Sequence, residues 1–285
     1  MKNKFILQVN GNEYDLGQQT WIMGVLNVTP DSFSDGGLFL SKDKAVEQGL
    51  KLIADGADIL DIGGESSRPG SESVTGEEEL KRVVPVISAL RKHTDTLISI
   101  DSTKSQVSRA ALDAGANIIN DISSFRFDPE MIPLAAERQV PVIIMHMLGT
   151  PKNMQNNPHY ENLLYEVKLF LKERIKAAVS GGIKKENIII DPGIGFGKRQ
   201  EDNLCLLKNL NFLEELGQPI LVGPSRKSFI GDILNLPPQE RIEGTIASAL
   251  ISLLHGANIL RIHDVAAVKR AAKVADSIMN IGSYA

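Results

Sequence analysis

The most regular feature of the chain is a series of eight short aliphatic runs, each of which ends in a polar or charged residue. The runs end at residues 26–27, 60–61, 100–101, 119–120, 145–146, 190–191, 222–227 and 260–263. Continuous Val, Ile and Leu are typical of strands in a parallel sheet that is covered on both faces. Burial explains the aliphatic residues but not the polar group at the same end of every run. In a (β/α)8 barrel these ends meet on one face, where active sites are built.

The segments between the runs have helical periodicity, so strands and helices alternate. The predicted strands are 21–27, 58–63, 97–101, 117–121, 140–146, 187–191, 219–222 and 258–263; the predicted helices are 42–55, 76–92, 104–114, 129–138, 160–180, 200–216, 238–255 and 265–280. This alternation predicts an α/β fold with a parallel sheet, and eight units favour a closed (β/α)8 TIM barrel. We expect one domain over residues 1–285. Residues 1–18 are expected to form an N-terminal β-hairpin around Asn10 and Gly11 that caps the barrel.

Two segments that follow the first and second predicted strands, residues 29–41 and 64–75, are longer than barrel packing needs. Both are polar and contain several Gly, Pro and Ser residues. Long loops on the catalytic face of a barrel are commonly mobile lids, and the alternative is a plain disordered connection. Phe33 and Arg68 favour lids, because neither belongs on a solvent-facing tip unless the loop closes over something.

Composition excludes several classes of protein. A net charge of -4 argues against a nucleic-acid-binding surface, which needs an excess of clustered Lys and Arg. Cys205 is the only cysteine, so no intrachain disulfide can form. The N-terminus has no secretory signal and no stretch is long enough to span a membrane, so we expect a cytoplasmic protein. Basic residues nevertheless follow the predicted strands and predict a positive entrance for an anionic small molecule: Arg68, Lys198, Arg199, Arg226, Lys227 and Arg261.

Four polar residues that end or closely follow four of the strands would surround one pocket. They are Asp101, Asn120, Asp191 and Lys227. Two carboxylates, an amide and an ammonium group in an apolar cup can pair with a planar heterocycle that carries several N–H donors. Met145 would provide a flat apolar floor for such a ring. The alternative is an internal salt bridge, such as one between Asp191 and Lys227, that only ties strand ends together.

A second set of residues suits an oxyanion: Asn27, Arg68, Arg261 and His263. Arginine binds phosphate through two parallel hydrogen bonds, and histidine can donate to the same oxygens. The amide oxygen of Asn27 could bind a magnesium ion that also contacts substrate phosphates. His263 alone could be structural, but its two-residue spacing from Arg261 directs both side chains to one side of a strand.

The glycine-rich segment at residues 191–198 (DPGIGFGK) does not have the spacing of a nucleotide-binding loop. Close approach of the backbone at a strand–helix turn is the better interpretation of these glycines. The chain also lacks HExxH, CxxC and GxSxG motifs, so zinc protease, dithiol redox and hydrolase chemistry have no support.

Four motifs resemble those of dihydropteroate synthases: MGVLNVTPDSFSDGG at 23–37, DIGGESSRPG at 61–70, DPGIGFG at 191–197 and GPSRKSF at 223–229. The resemblance covers essentially the whole chain and implies a (β/α)8 transferase of folate synthesis. Such an enzyme condenses 6-hydroxymethyl-7,8-dihydropterin diphosphate with 4-aminobenzoate, releases pyrophosphate and uses Mg²⁺. The resemblance also implies a sulfonamide target.

The resemblance further implies roles for individual residues. Pterin binding falls to Asp101, Asn120, Met145, Asp191, Lys227 and Arg261, and diphosphate binding to Asn27, Arg68, Arg261 and His263, with Asn27 at the metal. Aminobenzoate binding falls to Phe33, Ser67, Pro69, Lys227 and Ser228, and catalysis to Asp101, Lys227, Arg261 and His263. The family usually has Thr where this chain has Ser67.

Two other functions remain open at this point. A pterin-dependent methyltransferase would share the barrel and the pterin contacts but would not need the diphosphate set. A non-catalytic pterin-binding protein would need neither lids nor an oxyanion site. The predicted seventh and eighth helices carry more apolar surface than one barrel face requires, which together with the resemblance predicts a homodimer through this region.

Overall fold

The eight aliphatic runs form one parallel sheet in the computed structural model, which describes residues 5–29, 37–67 and 70–281, with the backbone alone at 37–41. A two-stranded antiparallel sheet precedes it. The elements are β1 Ile6–Val9, β2 Asn12–Asp15, β3 Trp21–Asn27, α1 Gly37–Ala54, β4 Ile59–Gly63, α2 Gly76–Leu90, β5 Leu97–Asp101, α3 Ser105–Asp113, β6 Ile118–Asp121, α4 Met131–Arg138, β7 Val142–Met145, α5 Leu163–Ser180, β8 Ile188–Asp191, α6 Gln200–Lys208, β9 Leu221–Val222, α7 Ser228–Leu234, α8 Ile242–Leu254, β10 Ile259–Ile262 and α9 Val265–Met279.

The sheet closes between β8 and β9. Its strand order is β8-β7-β6-β5-β4-β3-β10-β9, and a parallel bridge between Ile190 and Ile220 joins the two outer strands. The Ile190 N–H donates to the Pro219 carbonyl at 3.0 Å. β9 is short, and Pro219 just before it has no N–H to donate to a neighbour. The predicted (β/α)8 barrel is therefore confirmed.

The N-terminal hairpin covers one end of the barrel, as predicted. Val9 pairs with Asn12, and the two residues between them have positive φ angles of 51° at Asn10 and 79° at Gly11. This conformation suits a two-residue turn between twisted strands. Apolar residues of the hairpin pack against the inward residues at the N-terminal ends of the barrel strands. The packed set is Leu7, Val9, Leu16, Trp21, Met23, Ile59, Leu97, Ile118, Ile143, Ile189, Leu221 and Ile259.

The larger core lies between the outside of the sheet and the surrounding helices. It includes the buried strand residues that face outward, towards the helices, such as Leu60, Ile62, Ile98 and Ile100. At the N-terminal end of each strand, which we call the lower end of the barrel, inward and outward residues are therefore both apolar. This explains the continuous aliphatic runs. None of the described helices combines the length and the apolar character that crossing a bilayer requires.

The structure differs from the predicted elements in three places. Helix α1 begins at Gly37, so residues 37–41 are helical and do not belong to the first long loop. Helix α7 was not predicted, because it is only seven residues long and carries Gly231 in its interior. The predicted helices 200–216 and 238–255 are each divided into an α-helix and a 3-10 turn, at Leu210–Leu216 and Pro238–Glu240.

Candidate active site

Strand register brings the polar strand ends into one layer inside the barrel. Asp101 of β5 pairs with Asn120 of β6, and Met145 of β7 pairs with Asp191 of β8. Side chains two residues apart share a face of a strand, so these residues extend the inward rows that begin with Leu97, Ile118, Ile143 and Ile189. The predicted meeting of the strand ends is observed.

Arg261 lies at the centre of this layer between two carboxylates. Its Nε donates to Asp61 Oδ2 at 2.6 Å and its Nη2 to Asp101 Oδ2 at 2.8 Å. Asn120 Nδ2 lies 3.2 Å and 3.3 Å from the two oxygens of Asp61. Residues from four strands thus form one hydrogen-bonded cluster. Burial lowers the pKa of Arg261, but Asp61 and then Asp101 outweigh burial and raise it above its usual range.

The environment of Asp101 favours its protonated form more than water does. Burial, followed by the charge of Asp61, raises the pKa of Asp101 to about 7, although Arg261 opposes the shift. Near neutral pH the carboxyl is therefore balanced between its two states. A carboxylate of this kind responds strongly to a positive charge that develops beside it.

Asp191 and Lys227 form the other side of the layer. The Gly193 N–H donates to Asp191 Oδ1 at 2.6 Å, and burial raises the pKa of Asp191 to about 6. Burial and then Arg261 lower the pKa of Lys227 to about 8. Lys227 Nζ lies 4.2 Å from the centre of the Phe196 ring, a cation–π distance. The salt bridge considered between Asp191 and Lys227 is absent among the described ion pairs, so Lys227 remains available to a ligand.

Thioethers and an aromatic ring line the apolar side of the pocket. Met145, the predicted floor, is 3% exposed and packs with Met147, Met154 and Phe196. Ile122 packs against the same cluster. Polarisable sulfur groups and a ring beside two carboxylates and an amide suit a flat heterocycle with polar edges.

His263 lies at the rim of the barrel and is held by Ser225. Ser225 Oγ accepts from the His263 backbone N–H at 3.2 Å and lies 3.0 Å from His263 Nδ1. Because the hydroxyl accepts from the backbone, its own proton is free for Nδ1, which leaves the Nε2–H tautomer to donate to a ligand. Burial and then Arg261 lower the pKa of His263 to about 3, so the free imidazole is neutral.

The remaining predicted residues lie around the entrance. Asn27 is half-buried at the end of β3, Ser67 is half-buried in the second long loop, and Ser228 is exposed in the first turn of α7. Ser67 and Asp101 both line a cleft under that loop. Phe33, Arg68 and Pro69 lie outside the described residues.

Asp61 is the main site residue that the sequence reasoning missed. It holds both Arg261 and Asn120 and is completely buried. The sequence does contain a signal for this role. Asp61 interrupts an aliphatic strand and faces the same side as Ile59. Charged residues are almost never fully buried unless they are paired.

The predicted positive entrance is only partly correct. Lys198 is buried behind the pocket, Arg199 pairs with Asp202, and Arg226 pairs with Asp264 through two hydrogen bonds of 2.9 Å and 2.6 Å. Among the described members of that set, Lys227 and Arg261 are the cations at the pocket itself. Position after a strand does not decide whether a basic side chain points inward, outward or into the protein.

Metal-binding residues are sparse in this layer. The described part of the chain contains no group of three His, Cys, Asp or Glu that could hold a metal ion. A magnesium ion that takes most of its oxygens from a substrate needs only one or two protein ligands. The amide oxygen of Asn27 fits such a limited role.

Comparison with known proteins agrees with this geometry. A model of pterin binding enzymes matches residues 23–263. A dihydropteroate synthase of Synechocystis sp. is 48% identical over 273 residues, which is 95% of this chain and 94% of that one. This chain belongs to the dihydropteroate synthase family.

Solved structures of the family have the same fold. A Xanthomonas albilineans dihydropteroate synthase with 4-aminobenzoic acid superposes with a TM-score of 0.92 at 44% identity, over 98% of this chain and 100% of that one. The enzyme of the same organism in complex with 7,8-dihydropteroate gives a TM-score of 0.88 at 43% identity, over 97% of this chain and 100% of that one. The predicted resemblance is confirmed at the level of the family and the fold.

Proposed function

We propose that this dihydropteroate synthase carries out its condensation in the cluster around Arg261, by a dissociative displacement. The protein is a transferase that joins 6-hydroxymethyl-7,8-dihydropterin diphosphate to 4-aminobenzoate and releases pyrophosphate. The C–O bond between the pterin methylene and the diphosphate breaks first. The aminobenzoate nitrogen then forms the C–N bond and loses a proton, which gives 7,8-dihydropteroate.

The single observation that carries this assignment is the pairing of Asp61, Asp101 and Arg261 inside the barrel. Asp101 lies where a pterin ring would rest against Asn120 and Asp191, whose oxygens accept N–H bonds from such a ring. A carboxylate there would stabilise the cation that develops as the diphosphate leaves. Lys227 forms no ion pair with a carboxylate of the described residues, and it would serve a ring acceptor or the aminobenzoate carboxylate.

The departing diphosphate needs positive charge and hydrogen-bond donors. His263 offers Nε2–H and Arg261 has donors beyond those used by Asp61 and Asp101. Arg68 would add a further guanidinium group. An arylamine is a neutral nucleophile, so the reaction requires no covalent enzyme intermediate and no activated Ser or Cys.

Asn27 would hold Mg²⁺ together with the diphosphate oxygens. A bound magnesium ion supplies charge neutralisation for the leaving group. We expect Asn27→Ala to raise the Mg²⁺ concentration that gives half-maximal rate, with little change in the aminobenzoate KM. An unchanged Mg²⁺ requirement would contradict this placement.

A pyrophosphate-release assay with each substrate omitted in turn tests the activity directly. Release that depends on both substrates is expected. Methyl transfer from a folate to a corrinoid, without pyrophosphate release, would support the methyltransferase alternative. Pterin binding without turnover would support a non-catalytic binding protein.

Ser67 is expected to contact the aminobenzoate ring and to affect competition by sulfonamides. Its side chain lines the cleft beside Asp101, and Thr at this position would add one methyl group. We expect Ser67→Thr to change the ratio of the sulfonamide inhibition constant to the aminobenzoate KM. An identical ratio in both proteins would remove Ser67 from drug discrimination.

Helices α8 and α9 are proposed to form a homodimer interface in a cytoplasmic protein. The exposed apolar side chains of these helices include Ile251, Leu254, Val274 and Ile278, and Ile281 just after α9 is exposed as well. Large exposed apolar surface commonly marks an association site. Leu254→Glu should convert the dimer to a monomer in light scattering, whereas Tyr165→Glu on α5 should leave the mass unchanged.

A further inference from the structure

Lys198 lies behind the substrate pocket rather than in it. It is 3% exposed, and its ammonium nitrogen lies 2.9 Å from His146 Nδ1, 2.9 Å from the Gly193 carbonyl and 3.0 Å from the Phe196 carbonyl. An ammonium group has three donors, and these three acceptors can use all of them. A buried charge is tolerated only when it is compensated in this way, so Lys198 and its three partners are fixed relative to one another.

Two of these partners belong to the turn at residues 192–197, which forms a wall of the pocket. The Gly193 N–H donates to the Asp191 carboxylate, and the Phe196 ring lies beneath the Lys227 ammonium group. A shift of this turn would therefore move an acceptor expected to contact the pterin and the ring that supports Lys227.

Other side chains hold the turn from different directions. Gly195 accepts from Gln155 Nε2 at 2.8 Å and donates to Asn203 Oδ1 at 2.6 Å, and Gly197 accepts from the Tyr160 hydroxyl at 2.6 Å. Lys198 joins the turn to the His146 side chain, directly after β7, while the His146 backbone N–H donates to the Asp191 carbonyl at 2.9 Å and Phe196 packs with Met145 and Met147. A Cβ on Gly193 would lie 1.9 Å from the His146 carbonyl oxygen, so the two segments pack too closely for any side chain at this position.

We propose that Lys198 is a positioning residue for pterin binding, which holds the 192–197 turn against His146 and thereby places the Asp191 carboxylate and the Phe196 ring. Lys198 does not touch the substrate in this arrangement. The proposal rests on the pterin site described above and adds a residue that acts on it from behind.

The first test compares Lys198→Met with Lys208→Met, which removes an exposed lysine from the last turn of α6. The probe is 6-hydroxymethyl-7,8-dihydropterin without diphosphate, with its Kd measured by calorimetry. We expect Lys198→Met to raise this Kd about ten-fold or more, since small displacements of binding groups are costly. The Mg²⁺ concentration that gives half-maximal rate, which the proposed function assigns to Asn27 on β3, should change by less than about two-fold, a difference of under about 0.5 kcal/mol. Lys208→Met should change neither.

A second pair of variants tests the same turn without touching the lysine. Gly193 has a φ of 69° and Gly217 a φ of 68°, but nothing lies within 4 Å of the position of a Cβ on Gly217. Alanine introduces the same backbone strain at both positions and forces the turn away from His146 only at Gly193. We expect Gly193→Ala to weaken pterin binding and Gly217→Ala to leave it unchanged.

The outcomes separate positioning from simple stabilisation. A folded Lys198→Met protein with weakened pterin binding and an unchanged Mg²⁺ requirement would support the proposal. An unchanged pterin Kd would overturn it, even if the protein melted at a lower temperature. If Lys198→Met does not fold, an unchanged pterin Kd in Gly193→Ala would overturn the proposal, because displacement of the turn would then have no effect on pterin binding. Failure of the wild-type protein to bind pterin or release pyrophosphate would instead reject the function itself.

Discussion

The two ends of the barrel interior both contain completely buried residues but are chemically opposite. At the lower end, strands β3 to β10 place aliphatic residues and Trp21 against the hairpin. At the other end, the next inward residue after Ile59 is Asp61, and the next after Ile259 is Arg261. Asp61 and Ile59 are both 0% exposed. Burial alone therefore does not distinguish a stabilising residue from a functional one.

The boundary between the two ends is visible at Ser99. It faces inward between Leu97 and Asp101 on β5, pairs in register with Asp61, and its buried hydroxyl has no hydrogen-bond partner among the described residues. Below this level the interior needs no polar partner. Above it, Asp61, Asp101 and Arg261 compensate one another's charges, although Arg261 lies on a strand that is not adjacent to the other two.

The largest effect is expected from removing the charge that holds the upper layer together. Arg261→Met would leave Asp61 and Asp101 without their shared cation, and breaking a buried pair costs about 3–5 kcal/mol. We expect turnover in the pyrophosphate-release assay to fall by at least about a thousand-fold, because loss of charge stabilisation adds to the distortion. A variant with more than a tenth of wild-type turnover would show that the layer does not depend on Arg261.

A smaller effect is expected from neutralising Asp101. Asp101→Asn should lower turnover by about a hundred-fold, the scale of one electrostatic contact in a transition state, and change pterin-diphosphate binding much less. The pKa of Asp101 is raised to about 7, so the wild-type kcat/KM should fall as the pH drops below about 7 and the carboxylate is protonated. In Asp101→Asn the decrease should begin at lower pH, near the pKa of about 6 of Asp191. Unchanged turnover would remove Asp101 from the mechanism.

At the lower end we expect a loss of stability without a loss of affinity. Ile259 lies two residues before Arg261 on β10 and is completely buried. Ile259→Ala should reduce the free energy of unfolding by about 2–5 kcal/mol, measured by urea denaturation. The pterin Kd of the folded variant should match the wild type. A parallel loss of pterin affinity would mean that the two ends are coupled and the comparison fails.

The smallest effect is expected in the hairpin turn. Gly11 has a φ of 79° and open space around the position of a Cβ, so Gly11→Ala introduces backbone strain alone. We expect a loss of about 1 kcal/mol in unfolding free energy and unchanged turnover. A change in kcat would show that the capping hairpin affects the catalytic end.

Prediction from sequence succeeded where a local pattern has one structural solution. The eight aliphatic runs, the Asn10–Gly11 turn and the inward parity of Asp101, Asn120 and Asp191 each follow from spacing along the chain. Helix α7 was missed, because a seven-residue helix with Gly231 in its interior depends on contacts that spacing does not reveal, and the start of α1 at Gly37 was missed as well. Arg241, for example, donates to the carbonyls of Arg226 and Lys227 and so fixes the start of α7.

The amino-acid sequence by itself determined the alternation of strands and helices, the end of the barrel that carries the site and the residue types available for pterin chemistry. Only the tertiary structure decided which charges meet. Asp61 and Arg261 are 200 residues apart in the sequence. Their contact exists because the barrel closes and pairs β10 with β3, so that only β3 separates β10 from β4. Lys198 is buried against His146 and Arg226 pairs with Asp264, although both follow strands. Local patterns encode periodicity, whereas pairing of buried charges depends on which strands become neighbours.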